Sequence, residues 1–394
     1  MDGLISVDDH VIEPPGVWVD RVPNADRERV PHVVEEDGAS IWHYEDVRIP
    51  MPALFAQAGR DEDDIVPGLM TYTEMRAGYY DAAARTVDMD ADGILASLCF
   101  PTIPRYCGQL FLEAKDRDLA LTCVRAYNDW MVDGWAGAAP GRFIPLVIIP
   151  LWDPVLAAAE VRRAAAMGAK AVSFSENPAK LGLPSLHDKD GFWDPFLDAV
   201  NETGLPICIH FGSSSMVPNT APDAPIYVSA LLSPLNLAYA TADWLFSHKL
   251  HKYPNLKICL SEGGIGWIPF ILERAKYSIE HMPWARKYDA FDYDLNPQDD
   301  LGPEATPAEL FRDHIYGCVI NDEFGIKNLD AVGVDNVMME SDYPHGDGTF
   351  PNSMANAERL LAGLDDETRY KLMQGNARRV FDFVPACDRV GSDV

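Results

Sequence analysis

The chain has 394 residues, of which 47% are hydrophobic and 24% charged, as in a globular protein with a sizeable core that forms one large or two ordinary domains. Its 61 acidic residues outnumber the 32 basic residues, and the formal net charge of −29 excludes nucleic acid and anionic membranes as expected partners, because both need a positive surface. A small anionic substrate is not excluded, since a bound metal and one or two arginines reverse the field locally.

The predicted elements begin with an apolar strand at residues 4–7, followed by a long stretch, 11–90, that is rich in Pro, Asp and Arg and has little periodicity. From residue 91 onward, short apolar runs alternate with longer stretches of helical spacing. The apolar runs predict further strands at residues 93–99, 143–149, 170–174, 205–210, 257–261, 314–319 and 336–340. The stretches between and after them predict helices at residues 113–136, 153–167, 191–203, 229–250, 266–281, 322–331, 353–362 and 366–382.

This alternation predicts a (β/α)₈ TIM barrel, because strands of near-continuous apolar character are typical of a parallel sheet covered by helices. A doubly wound open sheet is the alternative, but no G-x-G-x-x-G pattern follows the first strand. We therefore expect one barrel domain over residues 1–394, closed by C-terminal helices. Residues 11–90, after the first strand, and residues 282–312 are predicted insertions near the barrel mouth.

Polar residues follow several predicted strands, at the end of a barrel where catalytic groups are found. Asp8, Asp9 and His10 follow the first strand, His210 ends the fifth and Asp342 follows the eighth. Side chains alternate along a strand, so Asp8 and His10 point one way and Asp9 the other. Two imidazoles and two carboxylates, from Asp8, His10, His210 and Asp342, form a ligand set that suits Zn²⁺, tolerates Mn²⁺ or Fe²⁺, and is too rich in nitrogen for Ca²⁺.

Each of these residues also has an ordinary structural interpretation. An Asp at a strand end is more often a helix cap or a turn residue, and a single His after an apolar strand is more often a hydrogen-bonded structural group. The metal hypothesis depends on the agreement of three strands at one end of the barrel.

The same residues resemble a known family, the amidohydrolase superfamily, and in particular its amidohydrolase-2 branch, which includes aminocarboxymuconate-semialdehyde decarboxylase and γ-resorcylate decarboxylase. The resemblance runs over nearly the whole chain, and the combination of its motifs is specific although no single motif is. The motifs are D-x-H at 8–10, I-H-F-G at 209–212, E-G-G-I-G-W at 262–267, S-D-Y-P-H at 341–345 and N-A-R-R-V-F at 376–381.

The resemblance implies a (β/α)₈ barrel that holds one divalent metal, with Zn²⁺ as our first expectation and Mn²⁺ as the second. Carried over residue by residue, its ligands fall on Asp8, His10, His210 and Asp342. Many relatives have H-x-H on the first strand, and the γ-resorcylate branch, with a glutamate first, is closer to Asp8. Glu262 is a departure, because the decarboxylases carry a catalytic His after the sixth strand, and a glutamate is a poorer proton donor near pH 7 unless its pKa is raised.

The leading functional hypothesis is a metal-dependent hydrolase that acts on a small, aromatic or unsaturated, carbonyl or carboxylic acid substrate through a metal-activated water. Asp342 or Glu262 would accept the proton of that water, and His345 is a candidate second proton carrier. Arg105 would bind the ionised end of the substrate. His345 and Arg105 also fit ordinary roles, as a turn-held loop His and a solvated loop Arg.

Two other hypotheses stay open. The first is metal-dependent, non-oxidative decarboxylation of an aromatic or unsaturated acid, with Asp342 or His345 as the proton donor; release of CO₂ without incorporation of water would separate it from hydrolysis. The second is an inactive barrel that serves as a binding protein, which predicts no metal and no effect of chelation.

Large aromatic residues in the long insertion, together with Trp267 and Trp284, suggest an apolar or aromatic substrate, although anchoring of the insertion to the barrel is the commoner role. The residues of the insertion are Trp18, Trp42, Tyr72, Tyr79 and Tyr80. The resemblance also suggests a homodimer, because relatives often associate through such insertions, although the sequence itself gives no evidence of one.

The seven cysteines are far apart, form no C-x-x-C pair and lie mostly in apolar segments, which favours a reducing cytosol over a disulfide scaffold. The N-terminal residues have no cleavable leader pattern, and no run reaches 18 apolar residues. We therefore expect a cytoplasmic protein with a small-molecule substrate and no membrane partner.

Overall fold

A computed structural model describes residues 3–51, 56–60, 68–284 and 305–386. Its centre is a barrel of parallel strands, and a small antiparallel sheet lies in the segment between the first two barrel strands. The strands, in chain order, are β1 (Leu4–Val11), β2 (His32–Glu36), β3 (Ala39–Tyr44), β4 (Val47–Pro50), β5 (Ile94–Pro101), β6 (Phe143–Ile144), β7 (Leu146–Val147), β8 (Ala171–Ser173), β9 (Ile207–His210), β10 (Ile258–Ser261), β11 (Ile315–Val319) and β12 (Val337–Met339).

The barrel runs in the order β1, β5, β6 with β7, β8, β9, β10, β11, β12, and every neighbouring pair is parallel. Pro145 separates β6 from β7, so one predicted strand pairs with β5 through its first half and with β8 through its second. The barrel closes where the amide of Asp342 donates to the carbonyl of Asp8 (2.9 Å) and that of His10 donates to the carbonyl of Tyr343 (2.7 Å). The predicted TIM barrel is therefore confirmed.

The helices cover the barrel as predicted, but several predicted helices are divided, including 322–331 at Asn328 and 366–382 at the π-type turn Lys371–Gly375. The predicted helix 229–250 is interrupted at Pro234, which cannot continue the preceding hydrogen-bond ladder. The predicted helix 113–136 changes to a wider π-type turn at Trp130–Ala136. The helices that follow or precede barrel strands are Ala82–Asp92, Arg117–Asp129, Pro154–Met167, Asp194–Thr203, Ile226–Leu232, Leu235–Phe246, Ile268–His281, Pro307–His314, Glu323–Lys327, Leu329–Val332, Ser353–Leu360, Asp366–Tyr370 and Asn376–Val380.

The first strand is longer than the sequence predicts, because β1 continues to Val11 instead of ending at residue 7. Every residue of β1 is buried, including Asp8, Asp9 and His10, so these groups lie within a strand and not in a turn after it. The register of β1 against β5 shifts between Ser6 and Asp9, a bulge of the kind that re-aims side chains beside active sites.

The long insertion is more regular than predicted. It contains the antiparallel sheet β2–β3–β4, whose first turn is Asp37–Gly38 with φ values of 51° and 80°. An Asp-Gly pair is a strong hairpin pattern because both central residues of the tight turn need positive φ. The prediction of an irregular segment is wrong here, because the Asp-Gly pair in the sequence indicates the hairpin.

The aromatic residues of the insertion serve mainly to anchor it. Trp18 and Trp42 are fully buried and meet edge to face with ring centroids 5.3 Å apart. The indole of Trp18 donates to the carbonyl of Cys123, and that of Trp42 donates to the hydroxyl of Tyr72. Burial of rings this large is a major source of packing energy, and it removes them as candidates for substrate contact.

The barrel interior is filled by apolar side chains and thiols, among them Ile5, Val7, Leu98, Leu146, Cys208, Cys259, Cys318 and Met338. All six described cysteines are buried free thiols, and Cys387 lies outside the described residues. Within the described parts of the chain, no helix combines the length and apolar character needed to cross a lipid bilayer. Residues 285–304 of the second predicted insertion also lie outside the described residues.

Candidate active site

Four predicted ligands meet at the carboxyl end of the barrel. Asp8 and His10 come from β1, His210 is the last residue of β9, and Asp342 lies three residues past the end of β12. Nε2 of His10 is 3.4 Å from Oδ1 of Asp342 and 3.8 Å from Oδ1 of Asp8. Nε2 of His210 is 3.7 Å from Oδ2 of Asp8. Each side chain is at most 2% exposed, so the cluster is closed off from bulk water.

The atoms that face one another in this cluster have no hydrogen-bond donors. Both carboxylate oxygens of Asp8, Nε2 of His10, Nε2 of His210 and Oδ1 of Asp342 are buried without a hydrogen-bond partner. A buried polar atom left in this state costs about 1–3 kcal/mol. Ligands held about 2.0–2.2 Å from one metal ion lie about 3.0–3.5 Å from one another, close to the separations seen here. The donor types therefore fit a divalent cation, and the ligand atoms of Asp8, His10 and His210 lie within 4.8 Å of one another.

The electrostatics of the cluster point the same way. Burial, reinforced by the carboxylates of Glu340 and Glu262, raises the pKa of Asp8 well above its ordinary value. Burial and Glu262 do the same to the pKa of Asp342. Burial, with the neighbouring imidazoles, holds the pKa of His10 well below its ordinary value. A cation at the centre would lower the pKa of both carboxyls and would keep the pKa of His10 low, because it stabilises the carboxylates and binds the neutral imidazole lone pair.

Asp9 lies on the opposite side of β1 and has a different environment. Its carboxylate accepts hydrogen bonds from the Ser6 hydroxyl (3.0 Å), the Ser341 hydroxyl (2.6 Å), the Tyr343 amide (3.1 Å) and the Ser97 hydroxyl. These bonds join β1 to β5 and to the segment after β12. Asp9 thereby fixes the two neighbours of Asp342, and so holds Asp342 toward the cluster.

Glu262 follows β10 and reaches the same cluster. Its Oε2 is 2.9 Å from Nε2 of His210, and its carboxylate groups with the ligand atoms of His10, Asp342 and His345 within 4.8 Å. Its backbone is left-handed, with φ of 60°, and its amide donates to Oε2 of Glu340 at 3.1 Å. The structure thus brings Glu262 together with the predicted ligands.

His345 lies beside Asp342 and His10. Its Nδ1 is 2.9 Å from Oδ1 of Asp342, and its ring stacks on that of His10 with centroids 4.1 Å apart. Burial lowers the pKa of His345 below its ordinary value. Nδ1 of His345 is also hydrogen-bonded to Oδ2 of Asp342 at 3.2 Å, so the pair can hold a proton at the edge of the cluster.

Arg105 does not face this cluster. Its guanidinium pairs with Oε1 of Glu113 at 2.5 Å and donates to the Ser215 hydroxyl at 3.3 Å, and its side chain is 36% exposed. The neighbouring residue, Tyr106, faces inward, and its ring stacks on that of His210 with centroids 4.2 Å apart and an interplanar angle of 13°. Sequence reasoning chose the charged neighbour and missed Tyr106, because the two residues lie in a turn where Arg105 has a left-handed φ of 57°.

The turn after His210 is shaped around these groups. The carboxylate of Glu176 accepts hydrogen bonds from the amide of Gly212 (3.0 Å), the amide and hydroxyl of Ser214, and the amide group of Asn236 (3.1 Å). Gly212 has φ of 81°, and a Cβ there would lie 3.2 Å from the Tyr106 ring. Glycine at this position lets the Tyr106 ring lie against His210.

A TIM barrel with a buried cluster of imidazoles and carboxylates at the carboxyl ends of its strands defines the class of a metal-dependent barrel enzyme. A family model described as Amidohydrolase matches residues 32–383, and the chain belongs to this family. The matched range includes His210, Glu262 and Asp342 but not β1, which carries Asp8 and His10.

Among the relatives is a γ-resorcylate decarboxylase of Polaromonas sp., 25% identical over 334 residues, which cover 79% of this chain and 90% of the relative. An amidohydrolase of Mycobacterium avium subsp. paratuberculosis has a similar structure, with a TM-score of 0.72, 21% identity, and coverage of 96% of this chain and 99% of that one. These similarities support the fold throughout the chain.

Two decarboxylase structures are also similar. A 5-carboxyvanillate decarboxylase of Sphingomonas paucimobilis has a TM-score of 0.62, 19% identity, and coverage of 98% of this chain and 100% of that one. A dihydroxybenzoic acid decarboxylase of Polaromonas sp., solved with bound manganese and the inhibitor 2-nitroresorcinol, has a TM-score of 0.60, 19% identity and 97% coverage of both chains.

Proposed function

We propose that the protein is a metal-dependent, non-oxidative decarboxylase of an aromatic or unsaturated acid. The observation that carries the metal is the set of buried, donor-free atoms on Asp8, His10, His210 and Asp342. Decarboxylation is supported by the relatives, since the curated relative and two of the similar structures are named as decarboxylases of hydroxylated aromatic acids. This reaction, our alternative hypothesis from the sequence, replaces hydrolysis as the preferred function.

Asp8, His10, His210 and Asp342 would hold one divalent ion. A manganese-containing relative favours Mn²⁺, while Zn²⁺ remains our expectation from the ligand types. When bound, the ion would supply the positive charge that attracts a substrate carboxylate and an adjacent hydroxyl in a chain whose net charge is −29.

The reaction converts an aromatic carboxylate and one proton into CO₂ and an arene, so the chain must store a proton close to the ring carbon. The pair of Asp342 and His345 is placed to do so, because Nδ1 of His345 is hydrogen-bonded to Oδ2 of Asp342 at 3.2 Å and Oδ1 is left for the metal. Stacking of His345 on the His10 ring fixes the plane of its imidazole. Proton delivery from a fixed group near the substrate is the contribution expected of a general acid.

Aromatic rings enclose the site on the side of β5. The Tyr106 ring covers His210, and the Phe100 ring lies 5.2 Å from His210 and 6.0 Å from His10. These rings keep water from the imidazoles, and the partly exposed Tyr106 ring offers an apolar face to a flat substrate. Their position supports an aromatic acid as the substrate class.

The test is product analysis with carboxyl-labelled hydroxybenzoates, beginning with 2,6-dihydroxybenzoate, on the full chain reconstituted with Mn²⁺. We expect labelled CO₂, one deuterium per product ring in D₂O, and no oxygen from labelled water in the organic product. Chelation and Asp342→Asn should both abolish CO₂ release. Incorporation of water oxygen into the product would contradict decarboxylation and would favour hydrolysis.

A further inference from the structure

We propose that Glu262 is a fifth protein ligand of the divalent metal and not the proton carrier that its position in the sequence suggested. This inference rests on the metal site of the proposed function and adds to it a carboxylate from β10. It concerns the residue at which this chain departs from the histidine found in the decarboxylases of the family.

The contact between Glu262 and His210 is unusual for a histidine and a carboxylate. Nδ1 of His210 lies 2.5 Å from the carbonyl oxygen of Phe211. A carbonyl oxygen only accepts hydrogen bonds, so Nδ1 carries the ring proton and Nε2 presents its lone pair. Oε2 of Glu262 lies 2.9 Å from this lone-pair atom. Two acceptors at this distance repel each other unless a cation lies between them.

A hydrogen bond does not account for this contact. Although Nε2 of His210 is within 2.9 Å of the Glu262 oxygen, it has no hydrogen-bond partner in the structure. A protonated carboxyl or a doubly protonated ring would need a directional bond between the two atoms. The separation instead matches the distance of about 3.0 Å between neighbouring oxygen and nitrogen ligands of one metal ion.

Glu262 is also directed toward the other ligands. One of its oxygens lies within 4.8 Å of ligand atoms of His10, Asp342 and His345. Its side chain therefore points to the centre of the cluster from the β10 side, whereas Asp8 and His10 approach from β1.

The backbone holds Glu262 in this direction at a cost. A φ of 60° is uncommon for a residue other than Gly, and such strain is retained where the surrounding structure enforces it. The enforcing contact is the hydrogen bond from the Glu262 amide to Oε2 of Glu340, which is itself buried and accepts the thiol of Cys318. Glu340 is thus a positioning residue for Glu262.

A fifth ligand changes the expected chemistry of the site. Two nitrogens and three carboxylates form a more oxygen-rich set than the four predicted residues, and such a set favours Mn²⁺ or Fe²⁺ relative to Zn²⁺. Proton delivery then rests on Asp342 and His345.

The test is metal binding by the full chain after removal of metal with a chelator, comparing the wild type with Glu262→Gln. The matched control is Glu202→Gln, which removes a surface carboxylate that pairs with Arg162 far from the site. We expect Glu262→Gln to weaken Mn²⁺ binding at least about tenfold and to weaken Zn²⁺ binding less. Co²⁺ bound in place of Mn²⁺ should absorb visible light more strongly in the variant than in the wild type, because a lower coordination number gives stronger d–d bands. The control should match the wild type.

Equal Mn²⁺ affinity and an unchanged Co²⁺ spectrum in Glu262→Gln would overturn the inference and leave the proposed function standing. A wild-type protein that binds no divalent ion would instead refute the proposed function. If Glu262→Gln does not fold, Glu262→Asp serves in its place, because it keeps the charge and withdraws the carboxylate by one methylene. It too should weaken Mn²⁺ binding, and unchanged binding would contradict the inference.

Discussion

The two sides of β1 each carry a buried carboxylate, but the two carboxylates differ in how many hydrogen-bond donors they contact. Asp9, on the outer side, accepts four hydrogen bonds, whereas both oxygens of its neighbour Asp8, on the inner side, accept none. Burial alone does not separate a structural carboxylate from a ligand. The number of donors does, because a buried acceptor without donors is tolerated only where something else neutralises it.

The largest expected effect is on the inner side. Asp8→Asn removes the negative charge of a proposed metal ligand, so we expect loss of Mn²⁺ at micromolar concentration and a fall in kcat/KM of at least about 10³-fold. Metal analysis and decarboxylation rates measure both. In metal-free buffer the same variant should unfold no more easily than the wild type, because it removes a buried carboxylate that has no donors. Full metal content in Asp8→Asn would show that a buried carboxylate without donors does not identify a metal ligand.

On the outer side the loss should fall on stability. Asp9→Ala leaves the hydroxyls of Ser97 and Ser341 and the amide of Tyr343 without their hydrogen-bond acceptor. It also removes the negative charge that lies near Arg85. We expect the free energy of unfolding to fall by about 3–5 kcal/mol. Urea denaturation of the metal-free protein gives this value, and a change below about 1 kcal/mol would refute a structural role for Asp9.

Glu13 is an intermediate case that sharpens the comparison. It accepts the amides of Thr102 and Ile103, but burial still raises its pKa to about 8. Because the folded pKa lies above the unfolded one, its stabilising protonated form is complete below pH 4.5 and is lost as the pH rises toward 8.

Between pH 5 and pH 8.5, wild type should therefore lose on the order of 4 kcal/mol of stability relative to Glu13→Gln, which has no carboxyl to ionise. Parallel urea titrations at several pH values measure the difference, with Glu202→Gln as the control that keeps the wild-type slope. Identical slopes in wild type and Glu13→Gln would mean that two amide donors are enough to keep this buried carboxylate ionised.

The smallest effect is expected for Arg105→Ala. Its guanidinium is already paired with Glu113 at a partly exposed position, so we expect KM to change by less than about threefold. Steady-state kinetics with the decarboxylation substrate measure it. A rise in KM of more than about thirtyfold would identify Arg105 as a substrate ligand, as the sequence predicted.

The barrel was predictable because apolar runs mark buried strands, and strand order follows from the right-handed β/α repeat. The end of β1 was not, since a strand that continues through Asp8, Asp9 and His10 contradicts local propensity. Only the partners of these side chains, which lie on distant strands, keep them in extended conformation. Local rules fail here because the site overrides them.

The convergence of the four predicted ligands followed from their strand ends, but the direction of individual side chains did not. Tyr106 and Arg105 are adjacent, and the backbone decides which of them faces His210. Glu262 depends on a left-handed φ that its own side-chain type disfavours and that Glu340 enforces from another strand. Such long-range control of a single dihedral angle leaves no pattern in a sequence.

The seam between β1 and the segment after β12 is also the place where Asp8 and His10 meet Asp342. An ion held there joins β1 to the segment after β12, so it stabilises only chains in which the barrel is already closed. During synthesis β1 can pair with β5 early, but its other edge finds a neighbour only after the segment that follows β12 has left the ribosome. Metal binding would then stabilise fully folded chains and not folding intermediates.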